Sequence, residues 1–149
     1  MKRTLIVLAS LMLSCASLPA PAKDFVPLNS DNGLALKGYD PVAYFRVSKP
    51  VEGQAAFSHD WSGAEWRFSS QANLEAFRAD PQRYAPQFGG YCAYAVAHGY
   101  VAPIDPAAWH IENGRLYLNY DADTQEKWLA QRPRFIPKAE RNWTKMTAP

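Results

Sequence analysis

His110-Ile111-Glu112-Asn113-Gly114-Arg115-Leu116-Tyr117-Leu118-Asn119 places two runs of strand-forming residues on either side of Asn-Gly. Asn-Gly is the preferred pair for a two-residue turn in which both residues take positive φ, so this stretch predicts a β-hairpin. Downstream, Asp121 or Asp123 caps a helix running to Gln131, with Trp128 and Leu129 as its apolar anchors. Pro133 and Pro137 should then break the chain, leaving residues 138–143 as a last short helix or turn. Upstream, Asp105-Pro106 opens a turn that ends near Trp109.

Before that turn lies Gln87-Phe88-Gly89-Gly90-Tyr91-Cys92-Ala93-Tyr94-Ala95-Val96-Ala97-His98-Gly99. Two glycines let the backbone turn sharply or be approached closely, and Gly99 is a natural helix stop. Cys92 should therefore sit in the first turn of a short helix, where free N–H groups and the dipole favour a thiolate. A reactive or metal-ligating thiol is one reading, and a small buried hydrophobe is the other.

Further upstream, Ala55 to Trp61 and Glu65 to Ser69 flank Ser62-Gly63-Ala64 as a second hairpin, with Phe57, His59 and Trp61 on one face. Asp40-Pro41 caps a compact helical turn that should pack inward through Val42 and Phe45. Ser69 or Ser70 caps a helix over residues 71–79, with Leu74 and Phe77 on one side, and Asp80-Pro81 starts a short turn through Tyr84. Residues 23–32 are polar and without period, so they read as a loose arm, with order beginning near Gly33. The class is α+β: one small domain over residues 33–149, short antiparallel hairpins packed with several short helices.

At the start, Lys2 and Arg3 precede an apolar run from Leu5 to Leu13, too short to span a bilayer and shaped as a secretory signal. Ala20-Pro21-Ala22 fits cleavage before Lys23, which makes residues 1–22 a signal peptide and the product periplasmic. The alternative is a lipid anchor through Cys15, since Met12-Leu13-Ser14-Cys15 partly resembles a lipoprotein box. The 16 basic residues include Lys2 and Arg3; without them the basic count equals the 14 acidic residues. The mature chain is then near neutral and has no basic cluster, which argues against a nucleic-acid partner. No second long apolar run follows, so no transmembrane segment is expected after cleavage. One mature cysteine excludes an internal disulfide.

Taken together, Gly38-Tyr39-Asp40-Pro41-Val42-Ala43-Tyr44-Phe45, Trp66-Arg67-Phe68-Ser69-Ser70 with Asn73, Phe77, Asp80-Pro81 and Tyr84, and Gly89-Gly90-Tyr91-Cys92-Ala93 resemble an exported bacterial YHS-domain protein. The resemblance runs from about Gly33 to Trp143. It implies a small metal-associated module of the YHS and TRASH-like group, with cysteine ligands in an Asp-Pro-Val-Cys opening and a Phe-Cys-Ser-x-x-x-Cys-like segment. Here those places hold Ala43, Ser69 and, with a shift of about one residue, Asn73. Alanine cannot ligate, and Ser or Asn suits soft cations poorly, so a cysteine-rich zinc site is excluded.

Two functional expectations remain. In one, a non-catalytic binding protein holds copper or zinc through Cys92 with His59 or His110, because thiolate and imidazole suit those ions. His98, six residues beyond Cys92 on one helix, points about 240° away from it. In the other there is no metal, and an aromatic groove near Tyr91, Tyr94, Trp61, Trp66 and Trp109 binds a small ligand or a periplasmic protein partner. A cysteine nucleophile is a third option, but no nucleophile elbow, paired carboxylate, phosphate loop or second redox cysteine supports an enzyme.

Overall fold

Three two-residue turns, each with positive φ at both positions, organise the strands: Asn32-Gly33, Ser62-Gly63 and Asn113-Gly114. The computed structural model describes residues 27–149, so residues 1–22, expected as a signal peptide, and Cys15 within them lie outside the described residues. Strands β1 (Ser30–Asp31) and β2 (Leu34–Ala35) flank the first turn, β3 (Gln54–Trp61) and β4 (Ala64–Phe68) the second, and β5 (Asp105–Glu112) and β6 (Arg115–Asn119) the third. The first four form one sheet in the order β1-β2-β4-β3, and β5 with β6 forms another. Each hairpin closes on the residues beside its turn: Trp61 opposite Ala64, Glu112 opposite Arg115. The expected α+β architecture is present.

The first hairpin was not legible as a strand pair. Residues 23–32 read as a loose arm, yet Leu28 is buried, and the Asn29 N–H donates to the Gly89 carbonyl at 2.7 Å. Asn29 Nδ2 also donates to the Gly90 carbonyl at 3.0 Å. Residues 23–26 lie outside the described residues; backbone pairing holds the rest of this polar stretch, and backbone pairing leaves no hydrophobic period to read.

Helix α1 (Pro41–Val47) starts as expected, with Asp40 as cap and Pro41 in the first turn. Val42 and Tyr44 are fully buried, and Phe45, half-buried against Tyr84, packs on the same core, as expected. Helix α2 (Gln71–Ala79) is capped by the Ser70 hydroxyl, and α3 (Pro81–Tyr84) by Asp80. Cys92 is the cap residue of α4 (Ala93–Ala97) and stands just before its first turn. Helix α5 (Ala122–Met146) does not end at Pro133. It kinks at Gln131 (φ −133°, ψ 20°) and resumes, with Pro133 in the first turn after the kink, where its missing N–H costs little.

Strand β6 separates two cores. Leu116 and Leu118 join a core with Val42, Tyr44, Trp66, Phe68, Phe77 and Cys92, while Tyr117 joins Phe88, Val96, Trp128 and Phe135 beneath α5.

Candidate functional site

The Asp40 carboxylate is fully enclosed and joins three elements. Its Oδ1 accepts from the Val42 N–H at 2.8 Å and the Ala43 N–H at 3.3 Å, capping α1. Its Oδ2 accepts from the Ser69 N–H at 2.8 Å, the Ser69 hydroxyl at 2.6 Å and Asn73 Nδ2 at 2.6 Å. Arg46 Nη1 donates to Asn73 Oδ1 at 2.7 Å, which links a cation to the buried anion through the amide. A buried carboxylate persists only when its acceptor sites are filled, and here five hydrogen bonds fill them.

Ala43, Ser69 and Asn73 occupy the places where the YHS resemblance implies cysteine ligands, and the fold does bring them together. The group they form does not fit a soft metal ion. Ala43 offers only a backbone N–H, and the Ser69 hydroxyl and the Asn73 amide are both donors to Asp40. Hydrogen bonds hold this spot closed.

Cys92 has a different setting. It is 1% exposed, its N–H donates to the Ala102 carbonyl at 3.0 Å, and its backbone bridges to Leu118. Sγ lies 3.9 Å from Asn119 Oδ1, which also accepts from the Tyr94 N–H at 3.3 Å. Asn119 is itself fully enclosed, and its Nδ2 has no hydrogen-bond partner among the described residues. Burial pushes the Cys92 thiol above its ordinary pKa; the N–H groups of Ala95, Tyr120 and Tyr94 pull the other way, and Asp121 adds a further push upward. The expected depression at a helix start is thus outweighed by desolvation.

Over Cys92 lies a groove of about 380 Å³, bordered by Tyr94, Tyr100, Tyr120, Thr124 and Lys127. Tyr100 and Tyr120 are each more than half exposed, whereas every other described Phe, Tyr or Trp side chain is buried or partly buried. Exposed aromatic rings around a concave surface are the usual mark of a contact site.

The other anticipated residues are scattered. His59 pairs across the sheet with Trp66 and sets its ring against Phe77 at 6.5 Å. His110 is opposite Tyr117 and therefore shares that residue's face of the hairpin, while Cys92 packs with Leu118 on the other face. Its Nε2 is 3.2 Å from Glu112, which also pairs with Arg132 Nε at 2.7 Å. His98 is outside both sets, with its Nδ1 at 2.7 Å from the Tyr94 carbonyl and its ring on Tyr94 and Phe135. Among the described residues no three His, Cys, Asp or Glu side chains converge as a metal site.

Of the aromatic candidates, only Tyr94 borders the Cys92 groove. Trp66 is 1% exposed and donates from Nε1 to the Trp61 carbonyl, so it packs the core and is closed to a ligand. Trp109 stands edge-on to Tyr44, and Tyr91 packs against Trp143. Sequence reading missed Tyr100, Tyr120 and Asn119. Tyr100 follows the helix stop at Gly99, and Tyr120 and Asn119 close the hairpin; an aromatic just past an element end was the one available signal.

Residues 42–88 match the YHS domain family. The match contains Ala43, Ser69, Asn73 and His59 and ends before Cys92. No curated protein and no solved structure matches the chain.

Proposed function

We propose that this chain is an exported, non-catalytic binding module of YHS type, whose ligand is a small apolar or aromatic molecule held in the groove over Cys92. The observation that carries the reading is the contrast between the two sites. The cluster at Ala43, Ser69 and Asn73 is closed by hydrogen bonds to Asp40, while the Cys92 groove is open and edged by half-exposed tyrosines. Lys127 at the rim suits an anionic substituent on the ligand. No helix among the described residues is long and apolar enough to cross a membrane. Export with cleavage before Lys23 places the module in the periplasm, and lipidation at Cys15 would tether it to a membrane instead; the mass of the mature protein separates these outcomes.

The binding test uses the mature protein and 1-anilinonaphthalene-8-sulfonate, a planar aromatic anion whose emission rises in apolar surroundings. Emission should rise on mixing with the native protein, and Tyr120→Ala or Lys127→Ala should weaken binding about tenfold, as expected for 1.4 kcal/mol, with an unchanged melting temperature. Binding that ignores both substitutions would overturn the groove. Stoichiometric uptake of Cu(I) or Zn(II) that is lost in Cys92→Ser would return the site to a soft-metal function, with copper or zinc as its cargo.

A further inference from the structure

A second concavity, of about 490 Å³, lies between the two cores and shares no lining residue with the Cys92 groove. Trp61, at the end of β3, and Trp143, on α5, both line it. Both rings are half-buried and braced from behind. Trp61 stands edge-on to Trp66 and Phe77 at 5.7 Å each, and Trp143 packs on Phe88 and Tyr91 at 6.2 Å each. Gln82 and Gln87 line the cleft as well, along with Arg115 and Glu140, which pair at 2.9 Å and are about half exposed.

We propose that this cleft binds a carbohydrate. A sugar ring has C–H faces that stack on an aromatic ring and vicinal hydroxyls that each donate and accept. The cleft supplies both requirements: two braced indoles, and side-chain amides and an ion pair that offer donors and acceptors together. An extended proline-rich peptide also docks on aromatic walls, but its prolines bring carbonyl acceptors and no N–H donors, so it matches the side-chain oxygens of Gln82 and Gln87 less well than sugar hydroxyls do. The braced rings lose little freedom on binding, which favours recognition of a weakly binding neutral ligand.

The test is a titration of the mature protein with chitotriose and maltotriose, read by tryptophan emission and by saturation-transfer NMR. At least one sugar should bind with a millimolar or lower Kd and show contact on its ring C–H protons. Trp143→Ala should weaken binding at least tenfold. Because Trp143 also packs on Phe88, Gln82→Ala serves as the second variant: Gln82 is exposed, so the melting temperature should hold while binding weakens about threefold. No contact with either sugar at millimolar concentration would overturn the proposal, as would binding unchanged in both variants. Trp143-dependent binding of a proline-rich peptide in place of the sugars would overturn it equally. None of these results depends on the Cys92 groove.

Discussion

Asp40 and Asn119 are both fully enclosed polar side chains, and the fold treats them in opposite ways. Every acceptor position of Asp40 is used, across α1, the end of β4 and α2. Asn119 spends its oxygen on the Tyr94 N–H and on the neighbourhood of the Cys92 thiol, and its amide nitrogen is unpartnered among the described residues. A closed network is a brace, because any change to it strands several donors at once. A half-used amide beside an open groove is a cost that a binding site tolerates and a core does not.

The comparison breaks most directly at Asp40. Asp40→Ala removes the shared acceptor of the Val42, Ala43 and Ser69 N–H groups, the Ser69 hydroxyl and the Asn73 amide. The expected loss is about 3 to 5 kcal/mol, the range seen when one member of a buried charged network is deleted. Urea unfolding measures it. A loss under about 1 kcal/mol, within the range of an ordinary single hydrogen bond, would show that water replaces the acceptor and that the network is no brace.

Gly89→Ala acts on the Cys92 side and should cost less. Gly89 has φ +59°, and an added Cβ would stand 2.0 Å from the Pro27 carbonyl oxygen. The N-terminal strand must move, at a cost of about 1 to 3 kcal/mol for the forced backbone. Thermal melting should register that cost, and faster proteolysis upstream of Gly33 should accompany it. A variant that melts normally and is cut no faster would mean that the strand is not seated on Gly89.

What the sequence disclosed follows the same division. Ser62-Gly63, Asn113-Gly114 and Asp40-Pro41 were legible because each is a local rule, a turn or a cap satisfied within four residues. The second role of Asp40 was not, since Ser69 and Asn73 reach it from 29 and 33 residues away. The prolines of α5 were read as a break because helix rules penalise them singly, whereas the kink at Gln131 absorbs the first and packing of Trp128, Phe135 and Ala139 keeps the helix going. At the candidate site, Cys92 was singled out by its rarity, and its burial could not be read from its neighbours. The open tyrosines lie on separate elements and meet only in the folded chain.

The smallest expected effect is the most specific to Cys92. Burial raises the thiol pKa in the folded state, so the folded protein keeps a proton that the unfolded chain releases. The contribution to stability is fully present below the ordinary thiol pKa of about 8.5 and is lost as pH climbs from there toward the folded value. For one proton the slope cannot exceed about 1.4 kcal/mol per pH unit. Urea midpoints between pH 7.5 and 9.5 should therefore fall for the native protein and fall less for Cys92→Ala, whatever the packing cost of the substitution itself. Tyr44, Tyr91 and Tyr117, whose pKa values are also raised by burial, titrate above this window and are common to both proteins. A native slope of the opposite sign would mean that the N–H groups of Tyr94, Ala95 and Tyr120 outweigh desolvation. Cys92 would then be a thiolate poised at the groove, and the two polar centres of the molecule would both be anionic and differ only in closure.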